Sequence, residues 1–304
     1  MIDATPSGTA AKIDAGIDLA QVAARSRGYW RTVWLRLRRD KVTIFFGLLL
    51  ALVFLSAAFA PWLAPGDPYA TSMIRRLKPI GFPNHLLGTD ELGRDMLTRL
   101  LYGGRLSLFM GITPVVSALF LGGLLGLLAG FLGGRVNMLI MRTMDVFYAF
   151  PSVLLAIAIS GALGAGVVNA IVSLTVIFVP PIARIAESVT TQVRNLDYVD
   201  AARASGAGSL TIIRVHILSN VLGPVFIYAT GLISVSIILA SGLSFLGLGT
   251  EPPEPEWGLM LNTLRQSIYV NPYVAALPGV MIFVTSLSFN LLSDGLRSAM
   301  DVRL

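Results

Sequence analysis

Six apolar stretches, near 42–64, 106–131, 138–162, 167–187, 218–247 and 275–296, constrain this 304-residue chain more than any other feature. About 20 helical residues cross the ~30 Å of hydrocarbon in a bilayer. Each stretch is long enough to do so. Backbone polar groups have no water to bond there, so each crossing segment must satisfy its own hydrogen bonds as a helix. The expected fold class is all-α, a polytopic membrane protein with six transmembrane helices. Composition agrees: 13% of residues are charged and 55% are hydrophobic, with a mean hydropathy of +0.75. A soluble domain carries about 25% charge.

The net charge is +6 and the pI 9.9. In a soluble chain that would raise nucleic acid as a partner. Here the cations sit beside apolar runs, where they set orientation in a bilayer, so no nucleic-acid partner is expected. Arg25, Arg27, Arg31, Arg36, Arg38, Arg39 and Lys41 precede the first span. The turn with Arg135 and Arg142 and the segment from Arg184 to Arg214 are also basic. Six crossings place all of these, and both termini, in the cytoplasm. The loop 248–274, with Glu251, Glu254 and Glu256 against Arg265, lands outside. The other outer loop, 65–104, is a poor witness, because it holds Arg75, Arg76, Lys78, Arg94 and Arg99. Residues 1–41 are read as a cytoplasmic tail, mobile over 1–24, and 42–304 as the transmembrane domain. Ala58-Phe59-Ala60 has the form of a signal cleavage site. The roughly forty residues before the apolar run, too many for a signal's n-region, and Pro61 just after the site argue for a retained span.

Prolines 114, 151, 180, 181, 224 and 278 fall in or beside the apolar runs, where each kinks a helix. Gly122, Gly126 and Gly130 repeat every four residues, a spacing that lets helix backbones approach closely. Packing within the chain is the simpler reading, and a sliding interface the sharper one. Arg142 and Asp145 stand one helical turn apart and are expected to form a structural ion pair. The chain has no cysteine, which excludes disulfides and thiolate metal sites, and no metal site is expected.

Between the fourth and fifth apolar runs lies a polar segment, 195–218. Asp197 is placed to cap a short helix, with Asp200 in the capping-box position. Ala201, Ala202, Arg203 and Ser205 follow, and Gly206 ends the helix in a left-handed turn. A second short helix is expected from about Ser209. An amphipathic hairpin on the bilayer would carry several Lys or Arg on one face. This segment has small side chains instead, which suit a groove in another protein.

The order of residues here, Asp200-Ala201-Ala202, then Gly206, then Leu218, resembles the EAA loop of bacterial ABC-importer permeases. Asp200 stands for the usual Glu, and Ser219 for the usual Pro. Leu87-Gly88-Thr89-Asp90-Glu91-Leu92-Gly93-Arg94-Asp95 resembles the signature before the second span of dipeptide/oligopeptide permeases. Met141-Arg142 to Asp145 with Ala149-Phe150-Pro151 is similar to their third span. Phe245 to Gly249, with Pro252, Pro253, Pro255 and Trp257-Gly258, resembles their outer loop. Phe289 to Leu292 with Asp294-Gly295-Leu296-Arg297 resembles their C-terminal end, where Ser293 replaces the usual Gly and Val302 the usual Pro. The set resembles the second permease subunit of the dipeptide, oligopeptide and nickel uptake family.

The resemblance implies the type I ABC-importer permease fold in a bacterial inner membrane. This chain would form half of a pore for di- or oligopeptides, with a paralogous permease as the other half. Two ATPase subunits would hold ATP and Mg and dock on Asp197, Asp200, Ala201, Ala202, Arg203, Ser205, Gly206 and Leu218. A periplasmic or lipid-anchored binding protein would contact Pro252, Pro253 and Trp257. The chain itself would bind no cofactor and catalyse nothing, and it has no G-x-x-x-x-G-K-[ST]. The cargo stays open among dipeptides, longer peptides, glutathione, nickel chelates and opines. A secondary transporter or a channel not coupled to an ATPase is the alternative. A secondary transporter usually buries acidic or histidine side chains for ion coupling. The spans here hold almost none. An intramembrane enzyme lacks its constellation, since the two histidines, His85 and His216, fall outside the spans.

Overall fold

The computed structural model describes residues 29–300. The expected mobile tail at 1–24 lies outside the described residues. A short basic helix, α1 (Tyr29–Leu37), precedes the first span, α2 (Lys41–Ala58). Asp40 starts α2 by accepting the Val42 N–H at 3.0 Å. The chain turns at Phe59 through α3 (Ala60–Leu63), so the first span ends earlier than the expected residue 64. Arg105 reaches across to the open end of α2, donating to the carbonyls of Ala57 and Ala58 at 2.7 Å each. A guanidinium suits that position, where carbonyls lack helical partners and the helix dipole is negative.

The second span, α4 (Met96–Leu132), begins ten residues before its expected start at 106. Its first two turns carry charge that hydropathy reads as loop. Asp95 caps them, accepting the Thr98 N–H at 2.8 Å. α4 then runs to Gly133. Gly122, Gly126 and Gly130 lie against the backbone of α7 (Val167–Arg194). A Cβ on Gly126 would stand 2.2 Å from the Ala183 carbonyl oxygen. The glycine stripe therefore packs two helices of one chain.

The third apolar run is not one continuous helix. It divides into α5 (Gly134–Tyr148) and α6 (Ser152–Leu163), bent by 89°. Pro151 accounts for the break, because the residue before a proline is driven out of the helical region. At 1.5 Å per residue neither half crosses ~30 Å alone. Together they make the sixth possible span beside the five long apolar helices among the described residues.

After α7 comes the short α8 (Asp197–Ala204), then α9 (Ser209–Phe245), α10 (Trp257–Leu264) and α11 (Pro272–Met300). One apolar core joins α4, α6, α7, α8 and α9, through residues such as Leu127, Ile182, Val199 and Ile217. A second joins α2, the start of α4, α10 and α11, through Leu50, Met96, Trp257 and Phe289. Ser293, where the resembled family has Gly, finds a place in α11: its hydroxyl lies 3.1 Å from that of Thr230. No β-strand occurs among the described residues.

Candidate functional site

The segment after α7 folds as a short helical knob. Leu196, not Asp197, occupies the cap of α8, and no side chain bonds the cap. Asp197 is the first helical residue. Asp200 completes no capping box and instead accepts from Arg203 Nη1 at 2.8 Å, one turn along. Both acids still sit in the first turn, where the helix dipole favours negative charge.

The far end of α8 closes as the sequence requires. Gly206 has φ of 84°. Its N–H bonds the Arg203 carbonyl at 3.0 Å, and the Ala207 N–H bonds the Ala202 carbonyl at 3.0 Å. These two bonds define a Schellman turn, which needs a left-handed residue at its centre. Ala202 and Ala207, the apolar pair that accompanies such a turn, both pack on the core. Val199 is fully buried and anchors α8 beside Ile212 and Ile217. Ala201, Arg203, Ser205 and Gly206 are exposed. The Ser205 hydroxyl donates back to the Ala201 and Ala202 carbonyls at 2.9 and 3.0 Å. The outward face is thus small, closed on itself and held rigidly from behind.

The expected second short helix is no separate element. Ser209 opens a helix that passes through a π-helical stretch, Ile212–Ile217, and continues as the fifth span. Ser219, in the place of a proline, keeps an N–H for that helix to use. Leu218 consequently lies inside α9 and packs on the core, apart from the exposed knob. Tyr198 of α8 meets His216 with ring centres 5.9 Å apart, and its hydroxyl accepts from Asn220 at 3.3 Å. The knob is therefore fastened to the start of a membrane-spanning helix.

The expected pair of Arg142 and Asp145 is loose, at 3.9 Å, with Arg142 largely in solvent. Asp145 takes its close contact from Arg184 of α7, at 2.6 Å. Arg184 also lies over the Tyr148 ring at 4.5 Å. The ion pair that matters joins α5 to α7, just before the bend. Spacing along one helix could not show a partner 39 residues away.

On the opposite face, residues 65–95 and 248–271 form one polar platform. Tyr69 donates its hydroxyl to Glu254 at 2.8 Å. Burial, then this hydrogen bond, pushes the phenol above its ordinary range. Asn271 donates to the Lys78 carbonyl at 3.2 Å. Arg94 pairs with Asp90 at 2.5 Å and with Glu91 at 2.8 Å. Arg99, 2% exposed, lies 3.3 Å from Asp90 and donates to the Pro68 carbonyl at 3.0 Å. Two of the cations that spoil the charge asymmetry of this loop are thus buried and paired.

Pro252 and Pro253 are exposed on this platform, but Trp257 is not. It is 1% exposed, with Nε1 donating to the Leu100 carbonyl at 3.0 Å. Its expected role as a surface contact is corrected: the indole is a core residue between α4 and α10. Glu256 was also missed as a structural residue. Its carboxylate accepts from the Gly258 and Leu259 N–H groups at 2.8 Å and from Ser107 at 2.9 Å, capping α10. Burial pushes its carboxyl above the ordinary range, against the pull of those donors. The acid just before Trp257-Gly258 was the available signal for a cap.

Residues 122–304 match the binding-protein-dependent transport system inner membrane component family, and residues 28–79 match the N-terminal TM domain of oligopeptide transport permease C. The chain is 42% identical to a glutathione transport system permease protein of Pectobacterium atrosepticum, over 90% of this chain and 91% of that one. It is 44% identical to a di/tripeptide transport system permease protein of Pseudomonas aeruginosa, over 84% and 86%. Its fold resembles a chain of the MetNI methionine ABC transporter in an inward facing conformation. That likeness has a TM-score of 0.51 and 21% identity, and covers 67% of this chain and 97% of the other.

Proposed function

The chain belongs to the binding-protein-dependent transport system inner membrane components, and we propose that it forms one half of the pore of an ATP-driven peptide importer. It is a multi-pass inner-membrane protein and a permease subunit of an ABC transporter. A paralogous permease supplies the other half of the pore. Two ATPase subunits, which hold the ATP and Mg, dock on the knob formed by Asp197, Asp200, Ala201, Ala202, Arg203, Ser205 and Gly206. Leu218 supports that surface from within α9. Both termini lie in the cytoplasm with the knob. A periplasmic or lipid-anchored binding protein meets the outer platform at Pro252 and Pro253, with Trp257 bracing it from below. The relatives named for glutathione and for di- and tripeptides support a short peptide as cargo.

The observation that carries this reading is the attachment of the knob. A small exposed face, closed by a Schellman turn, is fixed through Val199 and Tyr198 to the helix that becomes a span. A push on such a face moves a membrane helix, because packed interfaces shift between discrete arrangements and do not deform continuously. The test is uptake by proteoliposomes holding this chain, the paralogous permease and the ATPases, supplied with loaded binding protein. Labelled di- or tripeptide should accumulate only with ATP inside the ATPase compartment. Accumulation driven by an ion gradient without ATP would overturn the reading in favour of a secondary transporter.

A further inference from the structure

α1 lies on α11, beside the membrane entry of α2, and leaves a crevice between itself and the beginning of α9. The crevice measures about 750 Å³. Its walls include Leu37, Leu222, Pro224, Phe226 and Leu296. Leu222 and Phe226 are each more than half exposed. On the other side of Leu37 lies a second recess of about 340 Å³, lined by Arg36, Arg39, Asp40 and Ser298. One apolar compartment therefore adjoins one cationic compartment, with Leu37 shared between them.

The charge lining the second compartment is mostly positive, with Arg36 and Arg39 against Asp40. Arg38, Arg39 and Lys41 are exposed. Asp40 is the only acid between residues 25 and 41. Its two oxygens are taken by the Val42 N–H and the Thr43 hydroxyl. Cations clustered where a span leaves the membrane attract anionic lipid headgroups. A long apolar crevice opening at the same level offers burial to acyl methylenes.

We infer that this paired recess is a binding site for one anionic glycerophospholipid, its phosphate at Arg39 and its acyl chains in the crevice between α1 and α9. The site rests on the proposed orientation, which puts α1 against the cytoplasmic leaflet. The lipid would wedge α1 against residues 219–226 of α9, the same helix to which the knob is fastened.

The test uses the complete transporter in nanodiscs of mixed phosphatidylglycerol and phosphatidylethanolamine. Each lipid is supplied in turn with a trace of photoactivatable acyl chain. Phosphatidylglycerol should label peptides spanning 219–226 and 296–300 roughly tenfold more than phosphatidylethanolamine does. The double variant Arg38→Gln/Arg39→Gln should equalise the two lipids. Gly223→Phe, whose added carbon would meet only Met300 at 3.5 Å, should fill the crevice and abolish labelling. Leu222→Trp, at an exposed wall position, provides the same block if Gly223→Phe does not assemble. Equal labelling by both lipids in the unaltered protein, or labelling that survives both blocks, would overturn the site. So would no labelling at all, as expected if a partner subunit covers the crevice. A nanodisc exposes both leaflets, so this result does not depend on orientation, which cysteine accessibility reads separately.

Discussion

The Trp257 indole donates to the Leu100 carbonyl at 3.0 Å, locking the start of α10 onto the second span. Gly104 makes room for it, since a Cβ there would stand 3.1 Å from the ring. Removing the ring leaves a cavity, and Trp→Ala in a core costs about 3–5 kcal/mol. Trp257→Ala should lower the thermal midpoint and yield of the assembled transporter, whereas Pro252→Ala, at the exposed surface, should not. Thermal-shift measurement on the purified complex checks this. An unchanged midpoint for Trp257→Ala would contradict the packing described.

The glycines of α4 differ in what faces them. A Cβ on Gly126 would press into the Ala183 carbonyl at 2.2 Å, while one on Gly123 would meet nothing within 4 Å. Gly126→Ala should therefore separate α4 from α7 and cost about 1–3 kcal/mol. Gly123→Ala should be neutral or stabilising within about 1 kcal/mol. Detergent stability of the two variants should differ in that order. Equal losses would mean that α4 and α7 do not pack through the glycine stripe.

Most of the fold was legible because hydrophobic length is a direct physical requirement of a bilayer. The misreadings share one cause: hydropathy sees single residues, not partners. The start of α4 looked like loop because Arg99 is charged, yet Asp90 and the Pro68 carbonyl satisfy that charge in the fold. The third span looked continuous because Phe150 and Pro151 are apolar, yet Pro151 disfavours the helical region at the residue before it, and the chain breaks there. Trp257 looked like a surface anchor because an indole is amphipathic and lies in an outer loop, yet the fold buries it. At the knob, Gly206 was legible from local turn chemistry, whereas the partner of Asp145 came from a distant helix and was not.

Orientation is open to a direct chemical probe, since the chain contains no cysteine of its own. Glu254→Cys should react with an impermeant thiol reagent added outside intact cells, and Ser209→Cys should react only after permeabilisation. Both side chains are exposed, so access to the reagent depends on sidedness alone. The opposite pattern would invert the topology and remove the knob from the ATPases.

The most direct measurement concerns Gly206 and Ala201. A Cβ on Gly206 meets nothing within 4 Å, so Gly206→Val acts through its φ of 84° and not through a clash inside the chain. A left-handed conformation costs a non-glycine residue about 1–2 kcal/mol, and a β-branched residue is the least suited to it. Ala201→Trp leaves the backbone alone and enlarges the exposed face. Retention of the ATPase subunits on the purified permease pair, measured together with ATP-driven peptide uptake, reads both variants. The account predicts that both variants reach the membrane and pair with the paralogous permease, but lose the ATPases and lose uptake. Full ATPase retention and full uptake in both variants would show that residues 197–206 do not transmit the work of ATP hydrolysis.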